Sequence, residues 1–128
     1  MLLAVGIVGG AGSVARFLLD RAITDRAERG AAASGPGTRP AFPLGTLAVN
    51  LSGALLLGLL VGLAPGGDTL RLLGTGLLGA YTTFSTWMLE TQRLAAGGRP
   101  RAAVANITIS LALGLLAVWL GRELGAAL

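Results

Sequence analysis

Apolar residues along this chain are gathered in four long runs, and the segments between the runs carry most of the charges and prolines. A spanning helix needs about 20 mostly apolar residues, and each run is close to that length. The pattern therefore predicts an all-α integral membrane fold with four transmembrane helices in a single membrane domain, residues 1–128. We expect residues 20–42 to be a flexible loop, since they contain the segment GAAASGPGTRP. The four predicted spans cover residues 2–19, 43–63, 70–89 and 102–121.

The composition is also that of a membrane protein. Of the 128 residues 53% are hydrophobic and only 12% are charged, and the mean hydropathy of +0.74 lies well above that of a soluble domain. The chain has no cysteine and no histidine, which excludes thiol chemistry, disulfides, zinc and haem sites, and a histidine proton relay. The spans leave no room for a soluble catalytic domain, and no nucleophile–base pair can be assembled, so we do not expect an enzyme.

All ten basic residues are arginines, and the chain carries a net charge of +4. Most of them lie in loops or at span ends, where anionic lipid headgroups attract them, so we do not expect a nucleic-acid partner. The first and third loops hold seven arginines and the opposite side of the membrane holds two, so the positive-inside rule predicts that both termini face outward. The seven are Arg21, Arg26, Arg29, Arg39, Arg93, Arg99 and Arg101, and the two are Arg71 and Arg122.

Three pairs of glycines are spaced one helical turn apart, which allows helix backbones to approach closely in lipid. The pairs are Gly6 with Gly10, Gly58 with Gly62, and Gly121 with Gly125. We interpret them as helix-packing contacts, although such spacing is common by chance in glycine-rich spans. Four short helices with small-residue faces offer more contact surface than one subunit buries, so we expect an oligomer.

Polar side chains inside the spans are rare and mark candidate functional positions. Thr46 and Asn50 share one face of the second span, and an amide about two turns into a membrane helix must bond a neighbouring helix or a ligand. Arg16, about one turn from the first loop, either reaches the membrane interface or attracts ions. On the fourth span Asn106 and Ser110 lie one turn apart, and for Asn106 we favour a hydrogen bond between helices.

The third span contains the segment GAYTTFSTW, residues 79–87, in which four hydroxyl side chains are interspersed with three aromatic rings. Glycines precede it, so one interpretation is a helix break near the bilayer midplane, where freed carbonyl oxygens would suit a small cation. The alternative is a continuous helix whose hydroxyls bond the preceding turn. Phe84 and Trp87 share a face, and their positive ring edges would suit a desolvated anion, although aromatic residues in spans more often pack or anchor at the interface.

Three segments resemble the signature segments of the Fluc/CrcB family of fluoride channels, in the same order: GGAGSVAR (9–16), PLGTLAVNLSGALLLG (43–58) and GLLGAYTTFSTWMLE (76–90). The resemblance covers essentially all four spans. It implies a multi-pass channel of the cell membrane that passively exports cytoplasmic fluoride. It also implies an antiparallel, dual-topology dimer with two pores, a third helix broken near the midplane, and a structural sodium ion (Na+) at the dimer centre.

The resemblance further implies roles for individual residues. Backbone carbonyls of Gly79 and Thr82 would bind the sodium ion. Trp87 stands where the family usually has phenylalanine, which bears on the width of the pore. We expect the fluoride pathway to include the pore amide, the ring pair, the hydroxyls beside them and the arginine near the entrance. These residues are Asn50, Phe84, Trp87, Ser85, Thr86, Thr46 and Arg16, to which we add Ser110 of the fourth span.

Two alternatives stay open at this point. A small four-helix drug or metabolite exporter can also form antiparallel dimers, but proton-coupled export needs a carboxylate inside the membrane. The nearest one, Glu90 with Arg93 one turn later, lies at a span end. The second alternative concerns the partner, because an antiparallel homodimer needs one chain to insert both ways, whereas the arginine asymmetry favours a single orientation. We therefore hypothesise that an oppositely oriented paralogue replaces the second copy of this chain.

Overall fold

The structure is a computed structural model that describes residues 1–35 and 42–128, and these residues form helices and no strands. The all-α prediction is therefore confirmed. The elements are α1 (Leu2–Ala33), α2 (Leu44–Gly62), α3 (Gly67–Thr69), a π-helical segment (Leu70–Leu78), α4 (Gly79–Tyr81), α5 (Phe84–Ala96) and α6 (Pro100–Ala126).

α1 is much longer than the predicted first span, because it continues without a break from Leu2 to Ala33, a length of about 48 Å. Residues 20–33 are rich in alanine and arginine, which favour helix, and Arg21 pairs with Asp25 one turn later at 3.8 Å. The prediction of a flexible loop over residues 20–42 is therefore wrong for residues 20–33. Its central part, residues 36–41, lies outside the described residues.

Three helices of the described chain are long and apolar enough to cross a membrane, namely α1, α2 and α6. Many of their large apolar side chains are exposed, as expected of surfaces that contact lipid instead of water. The third predicted span, residues 70–89, is not a single α-helix and consists of the π-helical segment, α4 and the first part of α5. The architecture is thus an all-helical membrane protein with three continuous membrane-length helices in the described residues.

α2 and α6 pack with their backbones in close contact, and four glycines make this possible. A Cβ atom on Gly58 or Gly62 would collide with the backbone of α6, and a Cβ atom on Gly121 or Gly125 would collide with the backbone of α2. The packing role predicted for these two pairs is therefore confirmed.

The third pair, Gly6 and Gly10, packs on nothing in the described residues, since no atom lies within 4 Å of a Cβ placed at either position. α1 uses other glycines to contact the third predicted span. A Cβ on Gly9 would lie 3.4 Å from the carbonyl oxygen of Gly76, and Gly12 is buried against the same segment. The contact predicted for Gly6 and Gly10 is thus not made within the described residues, which leave this face of α1 open.

The helix of the third predicted span is broken in the middle of the hydroxyl-rich segment. α4 ends at Tyr81, Thr82 and Thr83 have extended backbones with ψ of 157° and 123°, and α5 begins at Phe84. The segment before the break is π-helical, with hydrogen bonds between residues five apart instead of four, so the helix is already irregular there. The predicted break is confirmed, and the alternative of a continuous helix is wrong.

Candidate functional site

Threonine side chains form hydrogen bonds on each side of the break. Thr82 Oγ1 donates to the carbonyl oxygen of Leu78 at 3.0 Å, where α4 ends. Thr83 is the N-cap of α5: its Oγ1 accepts from the backbone N–H of Thr86 at 3.3 Å and donates to Thr86 Oγ1 at 3.0 Å. Side chains therefore replace part of the helical hydrogen bonding that the break removes.

Asn50 of α2 bonds the break from the neighbouring helix. Its Oδ1 accepts from the backbone N–H of Thr83 at 2.9 Å, and its Nδ2 donates to the carbonyl oxygen of Thr83 at 3.0 Å. α2 can lie this close because Gly53 is buried against the side chains of Tyr81 and Thr82. The amide at position 50 thus has the interhelical partner that its depth in the helix demands. The second hydrogen on Nδ2 makes no hydrogen bond with the described residues.

Among the backbone carbonyls at the break, those of Gly79 and Thr82 lose their helical donors. In a continuous helix the Gly79 carbonyl would accept from Thr83 N–H, and the Thr82 carbonyl would accept from Thr86 N–H. Here Thr83 N–H donates to Asn50, and Thr86 N–H donates to the Thr83 side chain. These are the two carbonyls that the family resemblance implies as sodium ligands, and oxygens freed in this way at a helix break fit that chemistry.

Phe84 and Trp87 form an edge-to-face pair at the start of α5, with ring centroids 5.6 Å apart and an interplanar angle of 69°. Phe84 is 71% exposed, so its ring lies on the surface of the subunit. The Trp87 indole N–H donates to the Asn106 carbonyl oxygen at 3.2 Å. The donor that tryptophan adds at this position is therefore used between helices.

A recess of about 350 Å³ brings several predicted site residues together beside the break. It lies between α2 and the third predicted span, and its lining includes Asn50, Gly79, Thr82, Phe84 and Trp87. The amide, the ring pair and the two residues with freed carbonyls thus share one space, although α2 and α5 are far apart in sequence.

The other predicted pathway residues do not line this recess. Ser85 is exposed, and its Oγ lies 3.5 Å from Thr83 Oγ1. Thr86 is half-buried and bonded to Thr83, as described above. Arg16 is half-buried and makes no hydrogen bond or ion pair with the described residues, so the structure does not connect it to the recess.

Asn106 is buried, with 1% of its surface exposed, and it links α5 to α6. Its Nδ2 donates to Thr91 Oγ1 at 2.8 Å, and Thr91 Oγ1 donates to the Trp87 carbonyl oxygen at 2.8 Å. The hydrogen bond between helices that we favour for Asn106 is confirmed. Ser110 belongs to the same network, because its Oγ donates to Asn106 Oδ1 at 3.5 Å.

Thr46 bonds the carboxylate of Glu90, which the sequence predicts to lie at a span end. Thr46 is only 2% exposed, and its Oγ1 donates to Glu90 Oε1 at 2.9 Å. The other oxygen, Glu90 Oε2, is buried and has no hydrogen-bond partner in the described residues. Sequence reasoning missed this contact and assigned Arg93 as the partner of Glu90. No local pattern predicts it, because Thr46 and Glu90 lie 44 positions apart and meet only where α2 packs against α5.

Non-helical backbone beside a partly polar recess is also found in the class of membrane proteins whose ion or substrate sites lie at a broken helix. The family model described as CrcB-like protein, Camphor Resistance (CrcB), matches residues 3–122, and the chain belongs to this family.

Named relatives match most of the chain. It is 52% identical over 120 residues to "Fluoride-specific ion channel FluC 2" of Mycolicibacterium paratuberculosis, a match that covers 94% of this chain and 89% of the relative. It is 48% identical over 126 residues to "Fluoride-specific ion channel FluC 1" of Symbiobacterium thermophilum, which covers 94% of each. The FluC 1 of Rubrobacter xylanophilus is 49% identical over 118 residues, which covers 91% of this chain and 86% of the relative. The chain is accordingly a multi-pass protein of the cell membrane.

Proposed function

We propose that this chain is a fluoride-selective channel that passively exports cytoplasmic fluoride across the cell membrane, and that it is not an enzyme. The observation that carries the proposal is the recess at the helix break, whose lining joins Asn50 with Phe84 and Trp87. Relatives that are 48% and 52% identical over most of their length are named as fluoride-specific channels. No carboxylate is among the residues described as lining the recess, so passive flow of an anion fits it better than proton-coupled transport.

The recess offers a desolvated anion two kinds of electropositive group. The edge of an aromatic ring carries partial positive charge, and the ring of Phe84 is largely exposed. Asn50 has a second Nδ2 hydrogen that no described residue accepts. Fluoride gains more from such groups than the larger halides do, because it is the smallest halide and the strongest hydrogen-bond acceptor. We propose that its path continues past Thr46, Ser85, Thr86 and Ser110, with Arg16 near the entrance.

A structural sodium ion is part of the proposal, held by the carbonyl oxygens of Gly79 and Thr82. Both oxygens fit this role, because their helical donors are bonded elsewhere. Two such oxygens fall short of the larger oxygen shells that hard cations take, so a second subunit would supply further ligands. Bound sodium would supply a fixed positive charge between the two breaks and would not itself be transported.

The proposed assembly is an antiparallel dimer of four-span subunits, with the third span broken near the bilayer midplane. Two observations support an interface between subunits. The ring of Phe84 is 71% exposed in the single subunit, and the face of α1 that carries Gly6 and Gly10 is open. Small-residue faces are what membrane helices use for close contact. The second subunit is either another copy of this chain or an oppositely oriented paralogue.

Anion efflux from liposomes tests the proposed function. Liposomes that contain the purified chain and sodium are loaded with potassium fluoride or potassium chloride, and release is followed with an ion-selective electrode after valinomycin is added. We expect rapid release of fluoride, retention of chloride, and no requirement for a pH gradient. Comparable chloride release, or no fluoride release, would reject the proposal, and release only under a pH gradient would favour the exporter. Ala32→Ser, at the exposed end of α1, is the control and should release fluoride like the wild type.

A further inference from the structure

Asn50 uses both ends of its side-chain amide on one residue of the neighbouring helix. Oδ1 accepts from Thr83 N–H at 2.9 Å, and Nδ2 donates to Thr83 O at 3.0 Å. A pair of hydrogen bonds of this kind fixes the orientation of the peptide groups on both sides of Thr83, as a neighbouring strand would in a sheet. The amide therefore holds the main chain of the break and does more than line the recess.

The contact with Oδ1 decides where the Thr83 N–H points. In a regular helix this N–H would donate to the Gly79 carbonyl oxygen and close the turn. Because Asn50 takes this hydrogen, the Gly79 oxygen is left without its helical donor. The extended conformation of Thr83 also lets its Oγ1 accept from Thr86 N–H, which removes the helical donor of the Thr82 carbonyl. Both freed oxygens thus depend on a break that Asn50 holds open.

We infer that Asn50 is a positioning residue for the cation site: by bonding Thr83 it keeps the Gly79 and Thr82 carbonyls available to sodium. This inference rests on the proposed sodium site. It also gives Asn50 a place in both the sodium site and the fluoride path, because Asn50 lines the recess as well. Without the amide, Thr83 N–H is free to return to the Gly79 oxygen, and sodium must then compete with a helical hydrogen bond.

Sodium-dependent thermal stability of the purified full chain tests the inference without any measurement of fluoride flux. Unfolding is followed in detergent as sodium chloride replaces N-methylglucamine chloride at constant ionic strength. A ligand that binds only the folded state raises the unfolding temperature with concentration, so the midpoint of the rise reports sodium affinity. For Asn50→Ala we expect the midpoint to move to roughly tenfold higher sodium, the size expected when one or two hydrogen bonds are lost.

Asn106→Ala is the matched control. It removes another amide that bonds a neighbouring helix, and its partners are Thr91 and Ser110 instead of the break. It should lower the unfolding temperature without moving the sodium midpoint. If Asn50→Ala does not yield folded protein, Asn50→Ser serves in its place, because a serine hydroxyl is too short to bond both atoms of Thr83.

The two proposals fail in different ways. A sodium midpoint that stays at the wild-type value in the Asn50 variants would overturn the positioning role and leave the sodium site standing. A wild type whose unfolding temperature does not respond to sodium would overturn both. A shift in the Asn106 variant equal to that of the Asn50 variant would also overturn the positioning role, since any lost amide would then have the same effect.

Discussion

At the scale of single residues, the exposed ring of Phe84 carries the clearest prediction for transport. It forms an edge-to-face pair with Trp87 and is 71% exposed beside the recess. Phe84→Ile keeps an apolar side chain but removes the positive ring edge, so fluoride efflux from liposomes should fall by about tenfold or more. Phe17→Ile replaces another exposed ring, on α1, and is the matched control. Equal rates in the two variants would show that fluoride does not use the ring.

Trp87 makes a prediction about stability, because its indole N–H donates to the Asn106 carbonyl oxygen. Trp87→Phe keeps an aromatic ring but removes this donor, so the free energy of unfolding should fall by about 1 kcal/mol. The other tryptophan, Trp119, is 55% exposed, and Trp119→Phe should leave that free energy unchanged. Denaturant unfolding of both variants in the same detergent provides the measurement. If the two variants are equally stable, the indole hydrogen bond contributes nothing.

At the scale of helices, the contact between α2 and α6 depends on the absence of side chains. A Cβ on Gly121 would collide with the Leu55 carbonyl oxygen of α2, whereas a Cβ on Gly114 of the same helix meets nothing within 4 Å. Gly121→Ala should therefore lower the free energy of unfolding by about 1–3 kcal/mol. Gly114→Ala should leave it unchanged or raise it by up to about 1 kcal/mol, because alanine favours helix. If the two variants change the free energy of unfolding by the same sign and size, close packing of Gly121 against α2 is contradicted.

The helices also show which features a sequence can predict and which it cannot. The break at Thr82 and Thr83 was predictable, because glycines and clustered hydroxyls weaken a helix locally. The length of α1 was not predictable, because hydropathy marks only the apolar part of a helix, and α1 continues beyond that part through residues rich in alanine and arginine. The bond from Thr46 to Glu90 joins residues 44 apart, so it depends on how α2 packs against α5. The spacing of Gly6 and Gly10 matches that of the pairs that pack, and only the fold shows that their face is open.

At the scale of the whole molecule, the distribution of arginine predicts how the subunit is inserted. Seven arginines lie between the first and second predicted spans or between the third and fourth, and two lie on the opposite side, so cells that make only this chain should place its C-terminus outside. A tag at the C-terminus, tested for access in intact and permeabilised cells, measures the orientation. A tag that is mostly accessible in intact cells would support pairing with an oppositely oriented paralogue. An even mixture of orientations would favour the homodimer.

The break in the third predicted span constrains the order in which the chain matures during synthesis. A segment that moves from the translocon into the hydrocarbon core of the bilayer must have its backbone N–H and C=O groups hydrogen-bonded. Each group without a hydrogen bond costs several kcal/mol there. Residues 70–89 should therefore enter the bilayer as a closed helix, and Thr83 should turn away from it only when Asn50 is alongside to bond its N–H and carbonyl. The ribosome makes α2 before this segment, so the nascent chain already holds the amide that stabilises the open form when the segment arrives.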